Sequence, residues 1–277
     1  MTPDEYCRQK AAASGSSFYY SFLFLPPDRR RAITALYAFC REVDDVVDEC
    51  TDPQLAHAKL AWWRTEIAGL YAGNPQHPVT NALRPFTEQF QITAERLDEI
   101  IAGMEMDLTQ TRYLDFAGLE RYCYHVAGAV GLLAAGIFGY TDPRTLEYAK
   151  SLGTAFQLTN IIRDVGEDAR KNRIYLPMDE LKKFDVPASD ILAARYSENF
   201  RELMAFQARR AESFYEKAMQ SLPAADRPRQ RAGLIMAAIY RATLAEIERE
   251  GYRVLTQRTS LTPLRKLWLA WKTWASE

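Results

Sequence analysis

The sequence has no Cys-x-x-Cys pair, no apolar signal core in its first residues "MTPDEYCRQK", and no unbroken apolar run of the roughly 18 residues that a membrane span requires. Its four cysteines, Cys7, Cys40, Cys50 and Cys123, therefore carry no zinc-ribbon or thioredoxin-like signature, and a reducing cytoplasm is the expected compartment. The longest apolar stretch, "VAGAVGLLAAGIFGY", contains four glycines and reads as a buried helix, with a transmembrane segment as the alternative. Excess positive charge is also missing. With 35 Lys and Arg against 36 Asp and Glu, the net charge of −1 provides no general basic face, which excludes a nucleic-acid binder that works by neutralising phosphates. The three histidines, His57, His77 and His125, lack metal-ligand spacing and a Glu-x-x-His partner, so a zinc or di-iron bundle is not expected, and His125 reads as structural. Glycine-rich nucleotide fingerprints, a carboxy-terminal membrane anchor, Ser/Gly linkers and 20–50-residue repeats are all absent.

What is present is helical periodicity. Of the 277 residues, 48% are hydrophobic and 26% charged, a mixture that can bury a sizeable core. Strand-like alternation is scarce, so the expected fold is all-α, a single bundle-like domain over 1–277. "PPDRRRAITALYAFCREVDDVVDEC" starts on prolines and stops at "TDP" (51–53); a second "TDP" (141–143) starts "RTLEYAKSLGTAFQLTNIIRDVGEDARKN". Further helices are predicted over 54–72, 78–90, 93–110, 115–138, 197–221, 228–256 and 261–275, with "NRIYLPMDELKKFDVPASD" the main irregular stretch.

Two of these helices are acidic in a particular way. Tyr37, Arg41, Asp44 and Asp48 follow +4, +3, +4 spacing and form one stripe, beside an apolar stripe of Ile33, Leu36, Cys40, Val43 and Val47. The carboxylates then lie at the border of the core, while Glu42, Asp45 and Glu49 are expected to point towards water. Gln157, Asn160, Asp164 and Asp168 repeat the construction at +3, +4, +4. A single such run is more often a solvated helix face, but two of them, each beside an apolar stripe and an arginine, point to a shared site. Two carboxylates about 4 Å apart repel by ~4 kcal/mol at an effective dielectric near 20, so four around one cavity require cations. Oxygen ligands favour Mg²⁺, which takes one or two carboxylates plus waters and substrate phosphates. Arg41 and Arg163 are placed to hold those phosphates.

These motifs, with "SGSSFYYSFLFLPPDRRRAITALYAFCREVDDVVDE", "YCYHVAGAVG" and "QLTNIIRDVGEDARKNRIYLP", resemble the squalene/phytoene synthases, which couple prenyl diphosphates head to head. Around "SSFYYSFLFLPP" and "GMEMDL" the wording is most similar to the bacterial presqualene diphosphate synthases of hopanoid and squalene biosynthesis. The resemblance implies an isoprenoid-synthase-type bundle around a central cavity and a Mg²⁺-dependent transferase that condenses two molecules of farnesyl diphosphate to presqualene diphosphate. Asp44, Asp48, Asn160, Asp164 and Asp168 would bind the metal; Tyr37, Arg41, Gln157 and Arg163 would line the diphosphate region. Tyr122 would stand near the reacting carbons and Tyr240 at the polar end of the cavity. Ser14 falls where some relatives carry histidine. A separate squalene-forming enzyme would act downstream. Phytoene, dehydrosqualene or complete squalene synthesis uses the same machinery, and a non-catalytic lipid-binding or assembly factor is the alternative of another class.

Three weaker signals remain. The small residues Ala127, Gly128, Ala129 and Gly131 are expected to leave room for a prenyl chain. Glu105 and Asp107 of "GMEMDL" read as solvated, with support of the site from just outside it as the alternative. The tail "TPLRKLWLAWKTWASE" puts Leu264, Leu267, Trp268, Trp271 and Trp274 near one side, with Arg265, Lys266 and Lys272 elsewhere, so 261–277 can lie on a bilayer surface or pack against the core.

Overall fold

Proline marks where several helices begin. In the computed structural model, which describes residues 1–13, 21–22, 24–50 and 52–277, α1 spans Pro3–Ala13, α2 Pro27–Glu49, α3 Pro53–Tyr71 and α4 Pro78–Leu83. Proline at the first turn has no N–H to leave unsatisfied there and has φ already set for a helix. Other starts are capped by side chains that accept a backbone N–H: Thr93 for α5 (Ala94–Thr109), Asp115 for α6 (Phe116–Cys123) and Ser197 for α11 (Glu198–Ser221). Between α6 and α11 lie α7 (Ala129–Phe138), α8 (Arg144–Arg170), and the short α9 (Met178–Lys183) and α10 (Ala188–Leu192); α12 (Arg231–Arg249) and α13 (Pro263–Ser276) follow. No strand occurs among the described residues, only an isolated bridge between Arg112 and Ile174. The fold is all-α.

Five expectations are revised, the first being the helix predicted over 228–256, which ends at Arg249 and turns at Glu250–Gly251. The helix predicted over 78–90 ends at Leu83 and tightens into a 3₁₀ turn at Arg84–Phe86, where Pro85 interrupts the ladder. The helix predicted over 115–138 contains a π-helical turn at Tyr124–Gly128. The stretch called irregular contains α9 and α10. The amino-terminal α1 has too few apolar residues to signal itself, yet it buries Cys7 and covers one side of α2. Ser14 lies outside the described residues.

α8 is the axis of the bundle, packed against α6, α7, α10, α11 and α12. Its approach to the π turn and α7 is backbone to backbone. A Cβ on Gly153 would stand 2.4 Å from the Ala127 carbonyl oxygen, and one on Gly131 would stand 2.5 Å from that of Ala149. The small residues expected to make room for a chain therefore serve first to bring two helices together. Ala127 and Gly131 still line the cavity beside them, whereas Ala129 is core.

The far ends of α7, α8 and α12 are tied by Asp226. Its buried carboxylate accepts hydrogen bonds from the Thr141 N–H (2.8 Å) and hydroxyl (2.7 Å), the Asp142 N–H (3.0 Å) and the Thr145 hydroxyl (2.8 Å). Burial alone would raise its pKa, but these donors outweigh burial and hold it at about 2. Because the folded value lies below the unfolded one, the stabilisation is complete above pH ~4 and lost as pH falls through about 2. Asp226→Ala should lower unfolding free energy by about 2–4 kcal/mol at pH 7. Urea melts should show that this deficit narrows between pH 4 and pH 2.

Candidate functional site

α2 and α8 bring the two stripes to the same end of the bundle. A cavity of about 250 Å³ runs between them, with Tyr37, Arg41, Asp44, Tyr122, Gln157 and Asn160 at one end and apolar side chains along the rest. Asp48, Arg163, Asp164, Asp168 and Tyr240 surround that polar end without lining the cavity itself. Tyr240 is buried, its ring packs on Phe156 at 4.7 Å between centroids, and it interacts with the Asn160 side chain. Lys171 Nζ and Arg173 Nη1 reach Asp48 Oδ1 from just beyond α8, at 3.0 and 3.4 Å.

Counter-charge is distributed unevenly over the aspartates. Arg41 donates to Asp44 (2.5 Å) and to Asp45 (2.6 Å). Asp164 accepts from Arg163 (2.8 Å) and from Arg258 (2.8 Å); burial pushes its carboxyl up, but the two arginines outweigh burial and hold it below its ordinary value. Asp44 is pushed up to about 6, chiefly by burial and further by Asp48 and Asp107, against the pull of Arg41. Asp168 goes up to about 7 through burial and the charge of Asp164, and feels Arg173 and Lys171 only as more distant charges. Asn160 Oδ1 is buried and has no hydrogen-bond partner among the described residues.

Such a donor set fits a hard divalent cation. An unpartnered amide oxygen and two crowded carboxyls present oxygen atoms whose cost of burial a cation would offset. Among the described residues no three acidic, cysteine or histidine side chains already form a closed cage. Mg²⁺ does not require one, since it commonly retains waters and takes oxygens from a substrate phosphate.

Asp107 is the residue that sequence reasoning misjudged. It is buried, not solvated, and accepts from Tyr122 (2.8 Å) and Tyr175 (2.7 Å), whose rings stack at 5.2 Å. Burial raises its pKa against both hydrogen bonds, and its charge acts on Asp44 and Asp168 alike. The signal was available: Ile100, Met104 and Asp107 share a helix face, and the first two are core. Glu105 does face outward, paired with Arg64. The outward reading of Glu42 and Asp45 is corrected as well. Lys10 of α1 bridges them at 3.0 and 2.8 Å, and the Tyr6 hydroxyl donates to Glu42 at 2.6 Å. Arg258 and Lys266 complete a basic cluster with Arg163. Burial and the two arginine charges hold the Lys266 ammonium below its ordinary pKa. No periodic pattern in the sequence marks either residue. His125 is structural, its Nδ1 3.1 Å from the Glu99 carbonyl oxygen.

The family model described as Squalene/phytoene synthase matches residues 11–265. A phytoene synthase of Arthrospira platensis is 37% identical over 95% of this chain and 89% of its own length, and a 15-cis-phytoene synthase of Synechocystis is 36% identical over 96% and 84%. Among solved structures, a ligand-bound dehydrosqualene synthase superposes with TM-score 0.89 at 29% identity, covering 99% of this chain and 96% of that one. The squalene synthase HpnC of Alicyclobacillus acidocaldarius gives 0.81 at 29%, covering 90% and 94%.

With Asp168 pushed up to about 7 and Asp44 to about 6, a cation that binds to them below those values displaces protons. Calorimetric titration with Mg²⁺ and a non-reactive diphosphate should show proton release at pH 6 and little at pH 8, with apparent affinity rising between the two. Affinity independent of pH would remove these carboxylates from the site.

Proposed function

We propose that this chain, which belongs to the squalene/phytoene synthase family, joins two farnesyl diphosphates head to head to give presqualene diphosphate. Members of the family condense prenyl diphosphates in this manner, and the proposal concerns which ones and where the reaction stops. The observation that carries it is the depth of the cavity. Asn160 at its polar end and Tyr148 at its deep end are twelve residues apart on α8, about 18 Å at 1.5 Å per residue. At roughly 1.2 Å per extended backbone bond, three isoprene units reach about 14 Å and four about 19 Å. Three fit with space for the diphosphate, and a fourth would meet the Tyr148 ring.

Asp44, Asp48, Asn160, Asp164 and Asp168 would hold Mg²⁺, which when bound draws electron density from the diphosphate and assists ionisation of the allylic C–O bond. Arg41, Arg163, Arg258 and Lys266 would receive the diphosphate oxygens. The 2,3 double bond of the second substrate forms the new C–C bond at the resulting cation, and loss of one proton closes the cyclopropane. Two farnesyl diphosphates thus give one presqualene diphosphate, one diphosphate and one proton. Tyr122, held by Asp107, presents a ring and an oxygen to the cavity, and apolar side chains exclude water from the cation. A reductant is not required up to this point, and squalene would be formed by a later enzyme.

The names of the similar phytoene synthases favour a second reading, in which two geranylgeranyl diphosphates give a forty-carbon product. With farnesyl diphosphate and Mg²⁺, mass spectrometry after phosphatase treatment should detect presqualene alcohol, unchanged by NADPH. Squalene formed only with NADPH would identify a complete squalene synthase. A forty-carbon product from preferred geranylgeranyl diphosphate would establish the second reading.

No helix among the described residues is long and apolar enough to cross a membrane. α13 supports surface attachment instead: Leu264, Trp268 and Trp271 are 80%, 52% and 59% exposed, and Arg265 and Lys272 flank them. Replacing both Trp268 and Trp271 by Ser should reduce flotation with anionic vesicles about fivefold or more while sparing turnover of detergent-dispersed substrate. Unaltered flotation would assign the helix to protein packing.

A further inference from the structure

The deep end of the cavity contains a side chain that no step of the reaction uses. Tyr148 is 1% exposed, lines the cavity, and its hydroxyl has no hydrogen-bond partner among the described residues. A phenol enclosed in this way is unfavourable where phenylalanine would fill nearly the same space. Its position is nonetheless closely defined. The hydroxyl sits in a notch in α12 left by Gly233, where a Cβ would stand 2.5 Å from the Tyr148 oxygen and 3.6 Å from Leu152 Cδ2. Phe138, at the end of α7, lines the same cavity. The Arg227–Glu277 ion pair stands behind the ring, near enough for both charges to act on the phenol.

We infer that Tyr148, seated in the Gly233 notch, is the stop against which the prenyl tail ends and that this pair of residues sets the chain length the enzyme accepts. The inference rests on the prenyl diphosphate reading of the site. The notch gives the stop an adjustable position. With glycine at 233 the ring lies back against α12 and leaves the cavity its full length. Any side chain at 233 has to displace the tyrosine, and the space available to move into is the cavity. Removing the ring takes away the bulk that lies against the Gly233 notch and lengthens the cavity there. A chain one isoprene unit too long meets the ring itself, a larger mismatch than the single methylene that apolar pockets discriminate by about 10- to 100-fold.

The test measures kcat and KM for geranyl, farnesyl and geranylgeranyl diphosphates with the full-length protein and its Tyr148→Ala, Tyr148→Phe and Gly233→Ala variants. Tyr148→Ala should raise the geranylgeranyl-to-farnesyl ratio of kcat/KM about 10- to 100-fold, mainly through KM. Tyr148→Phe, which retains the ring, should leave the ratio within about twofold of wild type. Gly233→Ala should shift preference in the opposite direction, towards the shorter chain. Folding of each variant is checked by circular dichroism; if Tyr148→Ala does not fold, Gly233→Ala decides. Ratios unchanged in the folded alanine variants would overturn the inference. Its failure is distinct from failure of the farnesyl reading, because wild-type enzyme alone reports which substrate is preferred, whereas Tyr148 is judged on the shift from that preference.

Discussion

Several carboxyls share one partly buried volume between α2, α5 and α8, and the other features of the site follow from that constraint. Asp44, Asp107 and Asp168 each raise the cost of ionising a neighbour, and burial strengthens the effect because the intervening medium screens poorly. Arg41, Arg163, Arg173, Lys171 and Arg258 supply part of the balancing charge, with Asp164 the best provided and Asp168 the least. Those side chains leave Asp44 and Asp168 above the ordinary carboxylate range, and a bound cation would relieve the remaining repulsion. The Asn160 oxygen, buried and without a hydrogen-bond partner among the described residues, is a further oxygen that such a cation would satisfy.

The scaffold keeps these groups at one end of an apolar space. Gly131 and Gly153 let the π turn and α7 lie against α8 with their backbones nearly touching, so the cavity is bounded by short, rigid walls. Asp226 fastens the far ends of α7, α8 and α12, and this holds Tyr148, Phe138 and Gly233 in register. The hydrogen bonds from Tyr122 and Tyr175 to Asp107 orient the aromatic wall nearest the acidic end. A π turn immediately after Tyr122 changes the helical phase there, so Tyr122 and the small residues that follow it can both face the cavity.

Much of this was legible in the sequence, and the exceptions have physical causes. Helix starts were readable because proline and side-chain caps act within one turn, and the acidic stripes because their spacing needs only helical periodicity. The overrun past Leu83 and the π turn at Tyr124–Gly128 were not, since both depend on packing against other helices. α1 is mostly polar and lacks an apolar stripe, and without it Glu42 and Asp45 looked solvated. Arg258 and Lys266 come from a loop and from the first turn of α13, far along the chain from Arg163, and only the fold brings them together. Asp107 was readable from its place on the Ile100–Met104 face, but an acidic residue amid others invites the solvated reading.

The central claim is that the two acidic stripes are halves of one cation site. Crystals grown with Mn²⁺ and an unreactive thio-analogue of farnesyl diphosphate, with anomalous difference maps collected near the manganese edge, test it directly. The account predicts anomalous peaks between α2 and α8, bonded to oxygens of Asp44 or Asp48 on one side and of Asn160, Asp164 or Asp168 on the other, with the diphosphate between them. Ordered analogue with no manganese in that space, or manganese held by residues outside both stripes, would contradict it.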